Sequence, residues 1–145
     1  MPTDKLVTNI ERVRADHWQG KSIAFVSGNF NVIHPGHIRM FKFASEVADL
    51  VVIGVNVDGY PGVNVPLSVR IDAIATLPLV QQIVVVENNV IDVIRRLSPN
   101  WIVKGKEFES QRNIEDDIAK EVGAKIIFSS GEISYSDPNM KSRLN

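Results

Sequence analysis

The chain has 145 residues, 44% of them hydrophobic and 23% charged, with a formal net charge of -1. That size fits one ordinary domain, and the near-balanced charge argues against a general nucleic-acid binder, which would carry a basic face. There is no cysteine, so disulfides, thiolate metal sites and a cysteine nucleophile are excluded.

Residues 1–20 read as a helix packed on the domain, with Leu6, Ile10, Val13 and Trp18 roughly on one face, a cap at Thr3 or Asp4, and Gly20 as its end. His17 reads as a surface or packing histidine. The charged stretch from Met1 to Arg14 lacks a signal-type apolar region. The longest apolar run, Leu50 to Val57, is interrupted by Gly54 and too short to cross a bilayer. The expected location is the cytoplasm, with no membrane partner.

Residues 21–145 form the main domain, in which strand-like and helix-like segments alternate. Strands are expected at Ser22–Val26, Leu50–Val57, Ile83–Val86, Trp101–Val103 and Lys125–Phe128. Helices are expected at Ile38–Ala48, Leu67–Leu77, Val90–Leu97 and Asn113–Val122. Apolar strands alternating with amphipathic helices predict an α/β fold, a parallel sheet covered on both faces. The one conspicuous loop, Gly59 to Pro66, follows the second strand at the carboxyl edge, where such folds bind ligands.

The segment that carries chemistry runs from Ile23 through Gly28-Asn29-Phe30-Asn31 to His34-Pro35-Gly36-His37. A buried strand ends at Gly28, the chain turns, and a helix begins near Gly36. Helix N-termini offer free N–H groups and positive potential to phosphate, and Gly36 lets backbone and phosphate approach closely. His34 and His37 are spaced to face one pocket across a helical turn. Two imidazoles there suit hydrogen bonding to phosphate oxygens as charge shifts. A zinc pair lacks an evident third ligand, and plain helix capping is the other alternative. No metal ligand is assigned.

Residues 27–58 resemble the HxGH nucleotidyltransferase superfamily, in particular its cytidylyltransferase-like branch, and the resemblance extends roughly from Ile23 to Ser136. That branch includes glycerol-3-phosphate cytidylyltransferase and the adenylyltransferase domain of the bifunctional heptose-phosphate enzyme. Its members usually read G-x-F-D-x-x-H-x-G-H and end the next strand V-x-x-D, against Gly28-Asn29-Phe30-Asn31 and Val55-Asn56-Val57-Asp58 here. Val103-Lys104-Gly105-Lys106-Glu107-Phe108 is similar to V-K-G-G-D-Y of the heptose-phosphate branch, and Gly131 to Ser136 stands at the place of G-I-S-T-T.

The resemblance implies a Rossmann-like, doubly wound five-stranded sheet in the order 3-2-1-4-5. It implies transfer of a nucleotidyl group, with CTP favoured over ATP, to a phosphorylated polyol, sugar or related small molecule, with release of pyrophosphate and with Mg²⁺ on the triphosphate. His34, His37 and Lys104 would be catalytic. Gly28, Asn29, Phe30, Gly36, Lys104, Gly105, Ser134 and Ser136 would hold the nucleotide, although serines at such places also serve as caps. Lys42, Asp58 and Arg70 would hold phosphate. Asp58 suits a turn equally well, and Arg70 suits a surface pair. A homodimer is expected.

Asn31 replaces the usual Asp, Tyr135 a Thr, and Ser129 stands where some members have Arg. No Lys or Arg occurs between Lys42 and Arg70. These departures leave open an unusual acceptor, or a nucleotide-binding module without catalysis. A dinucleotide-binding dehydrogenase is disfavoured because the first turn lacks G-x-G-x-x-G. Glu115-Asp116-Asp117 and Arg95-Arg96 read as solvated helix ends matched to the helix dipole. The chain stops soon after Ser136, where the family continues with a helix, so a shortened chain or one domain of a longer protein both fit.

Overall fold

The computed structural model describes residues 5–7, 10 and 20–129. Its strands are β1 (Leu6–Val7), β2 (Ile23–Gly28), β3 (Leu50–Asn56), β4 (Gln82–Val86), β5 (Trp101–Gly105) and β6 (Lys125–Ser129). Its helices are α1 (Pro35–Val47), α2 (Leu67–Ala75), α3 (Val90–Leu97) and α4 (Asp116–Val122), with a 3₁₀ turn at Lys106–Phe108.

The strands form one parallel sheet in the order β1-β4-β3-β2-β5-β6. Five of them, β2 to β6, reproduce the expected 3-2-1-4-5 order. The sixth corrects the reading of residues 1–20 as helix from Asp4 onward, since Leu6 and Val7 lie extended beside Ile83 and Val84. The rest of that expected helix, with His17, lies outside the described residues apart from Lys5, Ile10 and Gly20.

Alternation along the strands divides the core in two. Ala24, Val26, Val51, Ile53, Val55 and Ile83 face α1 and α2, against Phe41, Ala44, Ile71 and Ile74. Ile23, Phe25, Val52, Val84, Val86 and Ile102 face α3 and α4, against Val93, Ile94, Leu97 and Ile118. Side chains at successive strand positions point to opposite faces, so a strand covered on both sides must be apolar throughout. β3 meets this at every position but the last, and is buried along its whole length.

Local chemistry sets the helix ends. The Asn89 side chain accepts the Asp92 N–H at the start of α3, and Gly123 closes α4 at φ 77°. Helix α1 begins before the periodic range Ile38–Ala48, close to the start read near Gly36, because Pro35 and Gly36 already form its first turn. Pro is pre-set for that position and has no N–H to leave unpaired. Helix α4 begins later, because the Asp116 carboxylate holds the Asn113 N–H at 2.8 Å in a turn before it.

Successive connections run outward from β2 through β3 to β4, and β5 then returns to the other side of β2. The carboxyl ends of β2 and β5 therefore flank a crevice at a topological switch point.

Candidate active site

A cavity of about 260 Å³ occupies that crevice. Ser27 to Phe30 line it from the end of β2 and the turn after it, His37 and Met40 from α1, Lys104 and Gly105 from the end of β5, and Glu107, Phe108 and Glu115 from beyond β5. Phe30 sits at φ 53°, a left-handed conformation that costs energy for a bulky residue. In return its ring is buried, edge-on to His37 at 5.4 Å and to Phe41 at 5.7 Å.

The two histidines are brought together as a stacked pair, with ring centroids 3.8 Å apart. His34 is the N-cap of α1, and its Nδ1 accepts the Gly36 N–H at 3.0 Å. His37 reaches back, and its Nδ1 accepts the His34 N–H at 3.3 Å. This is a reciprocal capping box built from imidazoles. A neutral imidazole whose Nδ1 accepts must carry its proton on Nε2, so each ring keeps one N–H donor for a ligand. Burial and, secondarily, the neighbouring His34 lower the pKa of His37 below its ordinary value. His37 is therefore uncharged at neutral pH.

Lys104 lines the cavity as expected, but its charge is not free. Its Nζ lies 2.8 and 2.9 Å from the two carboxylate oxygens of Glu115, and 4.7 Å over the Phe108 ring. This corrects the reading of Glu115 as a solvated helix end, since it is buried at 4% exposure. An acidic run before a helix carries no sign of such a partner, so the sequence hid it. Arg95 agrees with its reading, exposed and paired with Glu121 at 2.8 Å.

Arg70 is the larger correction. Instead of facing a phosphate or solvent, its side chain is fully buried. Nε donates to the Val65 carbonyl at 2.7 Å, and NH1 donates to the carbonyls of Asn29 at 2.8 Å and Asn56 at 2.6 Å. NH2 donates to Asp58 at 3.0 Å. Two of the three residues assigned to phosphate are thus engaged with each other, Asp58 at the exposed end. Arg70 ties the end of β3 and the loop 59–66 to the turn after β2.

Asn29 lies in that turn, its amide bonded to the Asn56 side chain at 2.8 Å and to the Pro61 carbonyl at 3.1 Å. A side chain at Gly36 would strike the His34 ring at 2.8 Å. One at Gly105 would meet the Glu107 carboxylate, and one at Gly28 the Phe30 ring. Lys42 is exposed on α1. Ser134 and Ser136 lie outside the described residues.

Residues 25–140 match the cytidylyltransferase-like family. The chain belongs to that family. Its fold and family are those of a nucleotidyltransferase. Among curated relatives, Bifunctional protein HldE of Nitratiruptor sp. is 29% identical over 83% of this chain, and that of Hyphomonas neptunium 30% identical over 88%. The matches span only 29% and 27% of those proteins' length. The crystal structure of the lipopolysaccharide core biosynthesis protein from Thermoplasma volcanium aligns with a TM-score of 0.62 at 19% identity. That alignment covers 76% of this chain and 98% of the other, and it supports the fold. The preference for CTP finds no support in the HldE relatives. No helix among the described residues is long and apolar enough to cross a membrane.

Proposed function

We propose that this chain transfers an adenylyl group from ATP to a phosphorylated sugar and releases pyrophosphate. ATP replaces CTP in this reading because the relatives are HldE proteins, and because Val103 to Phe108 resembles the heptose-phosphate adenylyltransferase segment. The observation that carries the reading is the stacked His34–His37 pair at the start of α1, with both Nε2–H donors left over and His37 lining the switch-point cavity.

An acceptor phosphate oxygen attacks the α-phosphorus in line, the bond to the β-phosphate oxygen breaks, and pyrophosphate departs. The two Nε2–H groups and the positive end of the α1 dipole meet the negative charge that builds on the phosphate oxygens. No side chain is required as a nucleophile. Asn29, Phe30, Gly28 and Gly105 shape the nucleotide side, and Ser134 and Ser136 complete it in this reading.

Mg²⁺ belongs to the reading as the partner of the triphosphate. Among the described residues no three His, Asp or Glu side chains converge on one point. The protein residues described do not fit a metal cage of their own, so none is assigned as a ligand. A cation held chiefly by phosphates needs few protein ligands. A cytoplasmic homodimer remains part of the proposal, to be checked by sedimentation and fractionation.

The deciding experiment supplies ATP or CTP with a panel of sugar phosphates, heptose phosphates included, and follows pyrophosphate release. Release with ATP and a sugar phosphate is expected. Release only with CTP would replace the nucleotide assignment, and release with neither would remove the enzymatic reading.

A further inference from the structure

The turn after β2 alternates its side chains. Phe30 enters the core, while its neighbours Asn29 and Asn31 reach across to the loop 59–66. Asn31 uses both ends of its amide there. Nδ2 donates to the Gly62 carbonyl at 2.8 Å, and Oδ1 accepts the Asn64 N–H at 2.9 Å. With a carbonyl facing one end and an N–H the other, the amide has only one satisfactory orientation. An ionised carboxylate in its place accepts at both ends and has nothing to donate. Gly62 sits at φ 89°, and a side chain on it would meet the Asn29 amide nitrogen at 2.9 Å, so backbone and clasp are fitted to each other.

The loop follows β3, which lies on the side of β2 away from β5. The loop and the cavity between β2 and β5 therefore flank the His-Pro-Gly-His turn on opposite sides. We propose that Asn31 is a positioning residue that fixes the loop 59–66 on the acceptor side, and that an amide replaces the family's usual Asp because this loop offers it one acceptor and one donor. The acceptor role rests on the nucleotidyl-transfer reading, whereas the clasp itself stands without it.

The test compares the native protein with Asn31→Ala and Asn31→Asp. Amide hydrogen exchange at Asn64 reads the clasp, with Val52 in β3 as a control for global opening. Asn31→Ala should lower Asn64 protection roughly tenfold, the size expected from losing hydrogen bonds worth about 1.4 kcal/mol, while Val52 is unchanged. Asn31→Asp should lose protection at neutral pH and regain it, relative to the native protein at the same pH, as the carboxyl protonates towards pH ~4 and can donate again. Kinetics with ATP and the best sugar phosphate should show a raised acceptor KM, with kcat and the ATP KM within about twofold of native, a change under ~0.5 kcal/mol.

Unchanged Asn64 protection in both variants would overturn the clasp whatever the activity. Lost protection with an unchanged acceptor KM would overturn the positioning role. A native protein that turns over no sugar phosphate fails the functional reading and the acceptor role with it, and the exchange result then decides on the clasp alone.

Discussion

Each imidazole of the His-Pro-Gly-His turn accepts a backbone N–H through Nδ1 and so serves the helix as well as any ligand. The two duties separate by substitution at His34. His34→Ala loses the cap and should cost ~1 kcal/mol of stability, along with ~10²-fold in turnover for one missing donor to the transition state. His34→Asn keeps a good cap and should hold its melting temperature near the native value while losing turnover to the same degree. Thermal melts beside pyrophosphate assays check both. Native turnover in His34→Asn would remove the donor role.

His37 adds a pH signature. Its folded pKa lies below the ordinary value of 6.5, so the unfolded chain binds the proton more readily. Its contribution to stability is complete above about pH 6.5 and declines as the pH falls from there towards the lower folded pKa. Denaturant midpoints across that range should fall with acid, and His37→Ala should flatten this part of the slope. An NMR titration placing the His37 ring at or above 6.5 would contradict the assignment. The pairing of the histidines was legible from their spacing. The burial of Arg70 and Glu115 was not, because each depends on partners that folding brings from other segments.

At the scale of elements, Arg70 stands at the first turn of α2 and binds carbonyls from three places in the chain. A guanidinium holds several acceptors in a fixed fork, which an ammonium cannot copy. Arg70→Ala leaves buried carbonyls unpaired, each costing on the order of 1 kcal/mol or more, and should destabilise the protein by roughly 3 kcal/mol. Arg70→Lys should restore only part. Chemical denaturation measures this, and a change below ~0.5 kcal/mol would mean a surface-type role instead.

Helix limits were readable where a cap was local, as at Asn89 and Gly123. The start of α1 was placed one residue late, near Gly36, because Pro35 alone looked like loop. Strand β1 was misread for a different reason. Two residues have no strand pattern of their own, and Leu6–Val7 is extended because it pairs with Ile83 and Val84, distant in sequence. Tertiary pairing overrode a helical spacing.

For the whole molecule, the division of apolar residues between two faces was foreseeable because every β2-to-β6 strand carries its own pattern. The crevice between β2 and β5 then follows from the strand order. The same order leaves β4 with a bare flank unless something lies beside it. A bare flank is a row of unsatisfied N–H and C=O groups, ready to recruit a strand from another molecule. Here it would bear Ile83 and Val84, within a run of Val and Ile that carries no charge. β1 covers part of that row at Ile83 and Val84, and a two-residue strand should thereby hinder such recruitment. Removal of residues 1–9 should leave a protein that clouds on warming before it unfolds, with rising thioflavin fluorescence. Light scattering of the two forms at matched concentration tests this, and equal scattering would deny β1 the part of a guard against fibre growth.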